Sequence, residues 1–363
     1  MTTKSKIILV IVIVLAIVLV GYSFAQVSDQ DKGEKQTIKI GVILPLTGGQ
    51  ANLGQSAKNA VLLAREEFGD TRFDYEVIIE DDALDTKMTS NAVNKLVNID
   101  KVDALISFTS GSGNVVSPVA QENKKIHIGV ASDPAIANGE YNFLHWTTPA
   151  AEVEKLVEEF KKRGIKTISV LGMNQQGQIA VIEDLKDQIS GSDIKVIQEQ
   201  VFNMGNRDYK VMIEKARQGN PDIIFVGAFS PDIEILAKQY KELGVEIPLT
   251  CVEAFEYTEQ PELFEGYWYV QSAEASDSFA NDFAGKFFDK PKLGSPFVYD
   301  AINLIVEAYE QTGQVDNVKA IENLNKIKDF PSAVGEISVG DEGIVWSDAV
   351  VREIRDGQPV TIE

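Results

Sequence analysis

From Ile38 onward, short apolar runs alternate with stretches whose apolar positions recur every three or four residues. The runs at 38–44, 75–79, 102–108 and 126–130 read as strands. Between them, 54–68, 86–99 and 115–123 read as helices. The first carries Ala57, Ala60, Val61, Ala64 and Phe68 on one face, and the second turns Ala92, Val93, Leu96 and Val97 inward. Strands that are apolar on both faces and separated by amphipathic helices predict a parallel sheet covered on two sides.

The rhythm restarts after Thr147-Thr148-Pro149. Helices at 151–163, 179–189, 209–217 and 233–243 alternate with strands at 167–171, 195–201, 222–226 and 248–252. Two successive doubly wound α/β sheets are the simplest account, and no 20–50-residue repeat suggests a solenoid. Past Tyr267-Trp268-Tyr269-Val270 the pattern turns helical, at 278–288, 299–311 and 318–327. A helical pair so late in the chain is placed to cover the first sheet. The segments 335–339 and 349–355 read as antiparallel strands joined by the turn residues Gly340-Asp341-Glu342-Gly343.

The N-terminus has a different pattern. Lys4 and Lys6 precede an unbroken apolar run from Ile7 to Val20, followed by Gly21-Tyr22-Ser23-Phe24-Ala25. A basic start, an apolar stretch and small residues at Ser23 and Ala25 predict a secretory signal cleaved before Gln26. Residues 7–25 also approach the ~20 needed to span a bilayer, so an uncleaved anchor is the alternative. Either reading exports the rest of the chain. Residues 26–37 are polar and unpatterned and read as a linker.

Composition removes several function classes. Asp and Glu number 55 against 34 Lys and Arg, for a formal charge of −21. Such a surface repels phosphate backbones and sets nucleic-acid binding aside. With Cys251 as the only cysteine, no internal disulfide forms, and with only His127 and His145 a Cys/His metal site is not expected.

Few residues suggest catalysis. No Gly-x-Ser-x-Gly elbow occurs, and neither histidine lies in a motif with a serine or an acid. Gly49-Gln-Ala-Asn-Leu-Gly54 has the glycine spacing of a phosphate loop, but Gln55 stands where its lysine must be. The expected result is a strand-to-helix loop at the carboxyl edge of a sheet, where open α/β folds bind ligands. Thr109-Ser110-Gly111-Ser112-Gly113-Asn114 holds the same place after the third strand and supplies hydroxyls and backbone N–H groups, suited to an anion or to an ordinary helix cap. Ala131-Ser132-Asp133-Pro134 ends the next strand. The acidic group Glu80-Asp81-Asp82 with Asp85 matches no calcium loop and reads as helix-start acids. Glu253 sits just past the strand at 248–252, as a cap or as a counter-charge for a ligand cation. Phe229, Tyr257, Phe297, Tyr299 and Trp146 lie near loop ends and supply either pocket wall or core.

Several of these segments resemble one family. Ile40-Gly41-Val42-Ile43-Leu44-Pro45-Leu46-Thr47-Gly48, the helix start Gly54-Gln-Ser-Ala-Lys-Asn-Ala, Asp81-Asp82, Ser132-Asp-Pro-Ala-Ile and Tyr299-Asp300-Ala301 are similar to the leucine/isoleucine/valine-binding proteins. The similarity runs in order from 38 to about 360. It implies a type I periplasmic-binding-protein fold with two α/β lobes, three crossovers and a ligand cleft that closes. On that template, lobe I comprises 38–148 plus 271–330 and lobe II 149–270 plus 331–363. The resemblance implies that Ser110, with Gly111 beside it, meets a ligand α-carboxylate, that Ala131 and Ser132 add backbone and hydroxyl contacts, and that Glu253 pairs with an α-ammonium. Phe229 and Phe297 would be wall aromatics. It further implies no cofactor, no enzymatic activity, and a permease pair with a cytoplasmic ATPase as partner.

Three departures alter that template. Leu53 stands where the family often has an aromatic, Asn174-Gln175-Gln176-Gly177-Gln178 replaces its Tyr-Gly motif, and Ala83 and Thr109 occupy the places of a disulfide. The expected function is therefore capture of an amino acid or similar small zwitterion or carboxylate by an extracytoplasmic solute-binding protein of an ABC transporter. The alternative is a sensing receptor that signals through a separate protein.

Overall fold

The computed structural model describes residues 35–362 except Tyr257, Glu259 and Asp341. The expected export segment, 26–34 of the expected linker and the candidate aromatic Tyr257 thus lie outside the described residues. The chain begins with β1 (Thr37–Leu44), α1 (Ala51–Glu66), β2 (Asp74–Asp81), α2 (Thr86–Lys95), β3 (Ala104–Phe108), α3 (Ser110–Glu122), β4 (Ile126–Val130) and β5 (Asn142–His145). Next come α4 (Pro149–Arg163), β6 (Thr167–Met173), α5 (Gln176–Ile189), β7 (Lys195–Phe202), α6 (Lys210–Ala216), β8 (Ile223–Gly227), α7 (Asp232–Glu242), β9 (Leu249–Thr250) and β10 (Trp268–Gln271). The last part holds α8 (Asp277–Phe287), α9 (Ser295–Glu310), α10 (Asn317–Leu324), β11 (Phe330–Ser332), β12 (Gly335–Val339), β13 (Ile344–Trp346), β14 (Val350–Arg355) and β15 (Gln358–Thr361).

The strand β1 shows why the apolar runs became central strands. Ile38, Ile40, Val42 and Leu44 alternate toward one core shared with α1 and α9, and Ile43 faces a second core shared with α2 and α3. Gly41 shares that second face because a Cβ there would sit 2.9 Å from Leu96. Each such side chain contributes about 1.5–3 kcal/mol by leaving water. The first sheet runs β11-β12-β13-β5-β4-β3-β1-β2, parallel from β2 through β13, with β12 and β11 antiparallel. The second is the parallel β7-β6-β8-β9, which a Val252–Val270 bridge connects to the antiparallel β10-β14-β15.

The chain crosses between the sheets three times, as a type I binding fold requires: between β5 and α4, between β10 and α8, and between β13 and β14. Phe297, Ala301, Ile302 and Leu304 of α9 join the first core, so the late helices do cover the first sheet. The assignment of 331–363 to the second lobe is corrected in part. Strands β11 to β13 extend the first sheet, and only β14 and β15 lie with β10. The turn at Gly340 and Gly343 also joins β12 to β13, not to the strand beginning at Val350.

One buried hydroxyl links all three crossings. Thr147 Oγ1 accepts from Ala273 N–H at 3.1 Å, meets Ser347 Oγ at 2.9 Å and reaches Asp348 O at 3.3 Å. Thr147→Val keeps the shape and strands a buried N–H, so it should cost about 1–3 kcal/mol. Urea unfolding checks this, and a loss below ~0.5 kcal/mol would show that the hydroxyl does not clasp the crossings.

Candidate functional site

The carboxyl ends of β3 and β4 face the amino end of α5 across a cavity of about 410 Å³. On the first-lobe side, its walls include Ser110 and Gly111 in the first turn of α3, and Ala131 and Ser132 just past β4. On the other side stand Gln175, Gln178, Phe229 and Ser230. Five of the expected site residues, Ser110, Gly111, Ala131, Ser132 and Phe229, therefore surround one space.

Local chemistry explains this convergence. The small-residue run does not precede α3 as a loop. It forms the first turn, so the helix starts at Ser110 rather than at 115. The first N–H groups of a helix have no intrahelical partner and carry a partial positive charge. Thr109 caps the turn at φ 84° and ψ 152°, held by its N–H to Val130 O at 3.0 Å. A threonine in that region costs of order 1–3 kcal/mol, the kind of strain found where a site fixes its backbone. Across the gap, α5 also begins at the cavity, with Gln175 accepting from Gln178 N–H at 3.2 Å. Two helix N-termini thus face one space, an arrangement suited to an anion.

The lobes already touch over this space. Asn114 Nδ2 of α3 donates to Gln176 Oε1 of α5 at 2.9 Å and to Asp133 Oδ2 at 2.7 Å. Gly177 sits so close that a Cβ would come 2.5 Å from Ser132 Oγ and 3.3 Å from Ser110 Oγ. Gln178 is buried, and its Oε1 has no hydrogen-bond partner among the described residues.

Two expected residues stand behind the wall instead of on it. Phe297 is fully buried, stacked on Trp146 at 4.5 Å between ring centroids and 28° between planes. Glu253, at φ 57° and 3% exposed, accepts from Trp146 Nε1 at 2.8 Å. Trp146 is the residue that lines the cavity. Tyr299 lies away from it, its hydroxyl donating to Glu67.

The other candidates have structural partners. Asp85 caps α2 by accepting from Met88 N–H at 2.9 Å, and Glu80 pairs with Lys95 at 2.8 Å. Burial alone would raise Asp81, but hydrogen bonds from the Thr47 hydroxyl and from the N–H groups of Ala83, Thr47 and Leu46 hold it below the ordinary range. Asp82 is buried, accepting from Thr89 Oγ1 at 3.0 Å and from Ser112 Oγ. Reading these acids as helix-start groups holds for Asp85. Asp81 and Asp82 instead tie the β1 and β3 loops to β2, which no local pattern marks. His127 is interior, with Nε2 2.8 Å from Ser107 Oγ and Nδ1 3.0 Å from Asn142 Oδ1. Among the described residues, no group of three or more His, Cys, Asp and Glu is placed to hold a metal, and no helix is long and apolar enough to cross a membrane.

Residues 37–358 match the family model described as periplasmic binding protein. The chain belongs to that family. A curated relative, the leucine-, isoleucine-, valine-, threonine- and alanine-binding protein of Pseudomonas aeruginosa, is 24% identical over 327 residues, covering 85% of this chain and 87% of that one. The leucine binding protein LivK of Thermotoga maritima superposes with a TM-score of 0.82 at 22% identity, over 90% of this chain and 98% of that one. A solute binding protein of an ABC transporter from Rhodopseudomonas palustris, solved with 3,4-dihydroxybenzoic acid, gives 0.81 at 23% identity, over 90% and 96%. The resemblance to leucine/isoleucine/valine-binding proteins and the expected fold class both hold. The relatives of this periplasmic binding protein are solute-binding proteins, not enzymes.

Proposed function

We propose that this periplasmic binding protein is the extracytoplasmic solute receptor of an ABC transporter. Its cleft closes over a small organic carboxylate, an amino acid or a related acid, and delivers it unchanged to a permease pair with a cytoplasmic ATPase. Residues 7–25 export the chain or anchor it. The observation that carries this reading is the pair of helix N-termini, of α3 and α5, meeting across the cavity between lobes with Ser110 and Ser132 between them. Both named partners of the similar proteins, the amino acids and 3,4-dihydroxybenzoic acid, bear a carboxyl group, which supports an anion-first site.

A thermal-shift screen of amino acids, aromatic acids and aliphatic acids tests the proposal. A ligand at 100-fold its Kd should add about 2.7 kcal/mol of stability. A protein that no solute stabilises, or that converts one to product, is not this receptor.

Closure is tested at Gly177. Its backbone accommodates alanine, but an added methyl would come 2.5 Å from Ser132 Oγ across the gap between the lobes. Gly177→Ala should therefore weaken ligand binding by roughly 10–100-fold, the equivalent of an overpacking cost of ~1–3 kcal/mol. Unfolding of the unliganded protein should change little. Calorimetry showing unaltered affinity would mean that the bound state does not bring these residues together.

A further inference from the structure

The class of carboxylate can be narrowed, provided the receptor reading above holds. Among the described residues, no Asp, Glu, Lys, Arg or His lines the cavity. Its polar groups are hydroxyls, amides and two helix N-termini, which favour an anion and supply no counter-charge to a cation, although the unpartnered Gln178 Oε1 can accept one hydrogen bond.

The acid expected to meet an ammonium is engaged elsewhere. Glu253 Oε1 takes the Trp146 indole N–H at 2.8 Å, and Trp146 presents its ring to the cavity, supported from behind by Phe297. A second acid also lies against Glu253. Glu152, in the first turns of α4, is fully buried, and no protein donor among the described residues reaches either of its carboxyl oxygens. Burial first, and then the neighbouring Glu253, push the Glu152 carboxyl well above the usual range. Two carboxyl groups side by side in a dry interior do not both ionise. Glu152 accordingly keeps its proton and turns it toward Glu253. The two acids and the indole thus lie together behind the wall, with Trp146 between the acids and the cavity.

An ammonium in this space would lose its water and gain no counter-charge, whereas a carboxylate would gain both helix ends. We propose that the cleft selects a small carboxylate with an apolar body and no α-ammonium group. The N-termini of α3 and α5 hold the carboxylate, and Leu53, Trp146, Phe229 and Leu293 enclose the body. Glu152 and Trp146 act together to keep Glu253 from serving as a ligand counter-charge.

Calorimetry on the full-length protein with shape-matched pairs tests this. The pairs are 4-methylpentanoate against L-leucine and 3-phenylpropanoate against L-phenylalanine, with benzoate added. The expected result is that at least one acid binds ~30-fold or more tighter than its amino acid. An amino acid that binds as tightly as its deaminated partner overturns the inference and leaves the receptor reading intact. Failure of all three acids while an amino acid binds has the same meaning. Failure of every acid and amino acid overturns both. In Trp146→Phe the indole donor that holds Glu253 Oε1 is gone, so the preference for the acid should shrink at least ~10-fold. An undiminished preference in a folded Trp146→Phe protein counts against Glu253 being the group held back.

Discussion

Phe297→Ala should destabilise the protein by about 3–5 kcal/mol, the range for removing a fully buried phenylalanine ring. The estimate starts from position. Phe297 lies at the third residue of α9, is fully buried, and packs in the core between α9 and the first sheet. Its ring stacks on Trp146 and meets His145 edge-on at 5.1 Å and 65°. Such aromatic pairs add about 0.5–1.5 kcal/mol beyond area burial. His145 cannot readily swing in to fill the gap, because Asp300 holds it at 3.3 Å and itself accepts from Ala333 N–H at 2.6 Å. Against a total stability of about 5–15 kcal/mol, this loss is roughly a fifth or more. Urea unfolding should show a lower midpoint at unchanged slope, with Phe297→Leu losing less. Ligand affinity should fall as well, since Trp146 would lose the surface that holds it against the cavity. A loss under ~1 kcal/mol would mean that α9 does not support the wall.

That result would also show how a residue legible in the sequence can reach the cavity through another side chain. Phe297 and Glu253 fall near strand and helix ends in the sequence, and the structure places both behind the cavity wall. Their direct contacts are with Trp146, which is 107 positions from Glu253 in the chain. No periodicity carries information over that separation. Parallel strands were legible because burial on two faces leaves continuous apolar runs, as in β1, β3 and β4. Strand β5 was not, because Asn142 and His145 interrupt a four-residue run. Both find interior partners, in His127 and Asp300, that only the folded chain supplies. The misplacement of 331–346 has a similar cause. The turn at Gly340 and Gly343 is legible, but its second strand, β13, has only three residues, too few for an apolar pattern to mark it ahead of β14. The first turn of α3 was missed because Ser-Gly-Ser-Gly is a poor helix former whose conformation is set by Thr109 and the end of β4.

Stability should fall as pH drops below 6.5, and His127 should be a principal cause. Burial lowers its imidazole to about 4, despite a hydrogen bond donated to Asn142 that works the other way. In the neutral ring, Nδ1–H donates to Asn142 Oδ1 at 3.0 Å and Nε2 accepts from Ser107 Oγ–H at 2.8 Å. The unfolded chain binds a proton near 6.5 and the folded one only near 4, so between these values the unfolded state holds more protons. Stability therefore rises with pH across this window and is lost on acidification, at up to ~1.4 kcal/mol per pH unit. The full contribution is present above 6.5, and below about 4 no further loss comes from this group. The functional consequence follows from the strands involved. Ser107, His127 and Asn142 sit on β3, β4 and β5, whose carboxyl ends carry Ser110, Ser132 and Trp146. A proton on His127 would deprive Nε2 of its role as acceptor and loosen the three strands that aim the first-lobe wall. His127→Gln keeps a donor and an acceptor but removes the titration. Urea midpoints measured from pH 4 to 7 should accordingly slope less steeply in that variant than in the parent. Parallel slopes in the two proteins would assign the acid sensitivity to the carboxylates, Asp81 among them, and not to this imidazole.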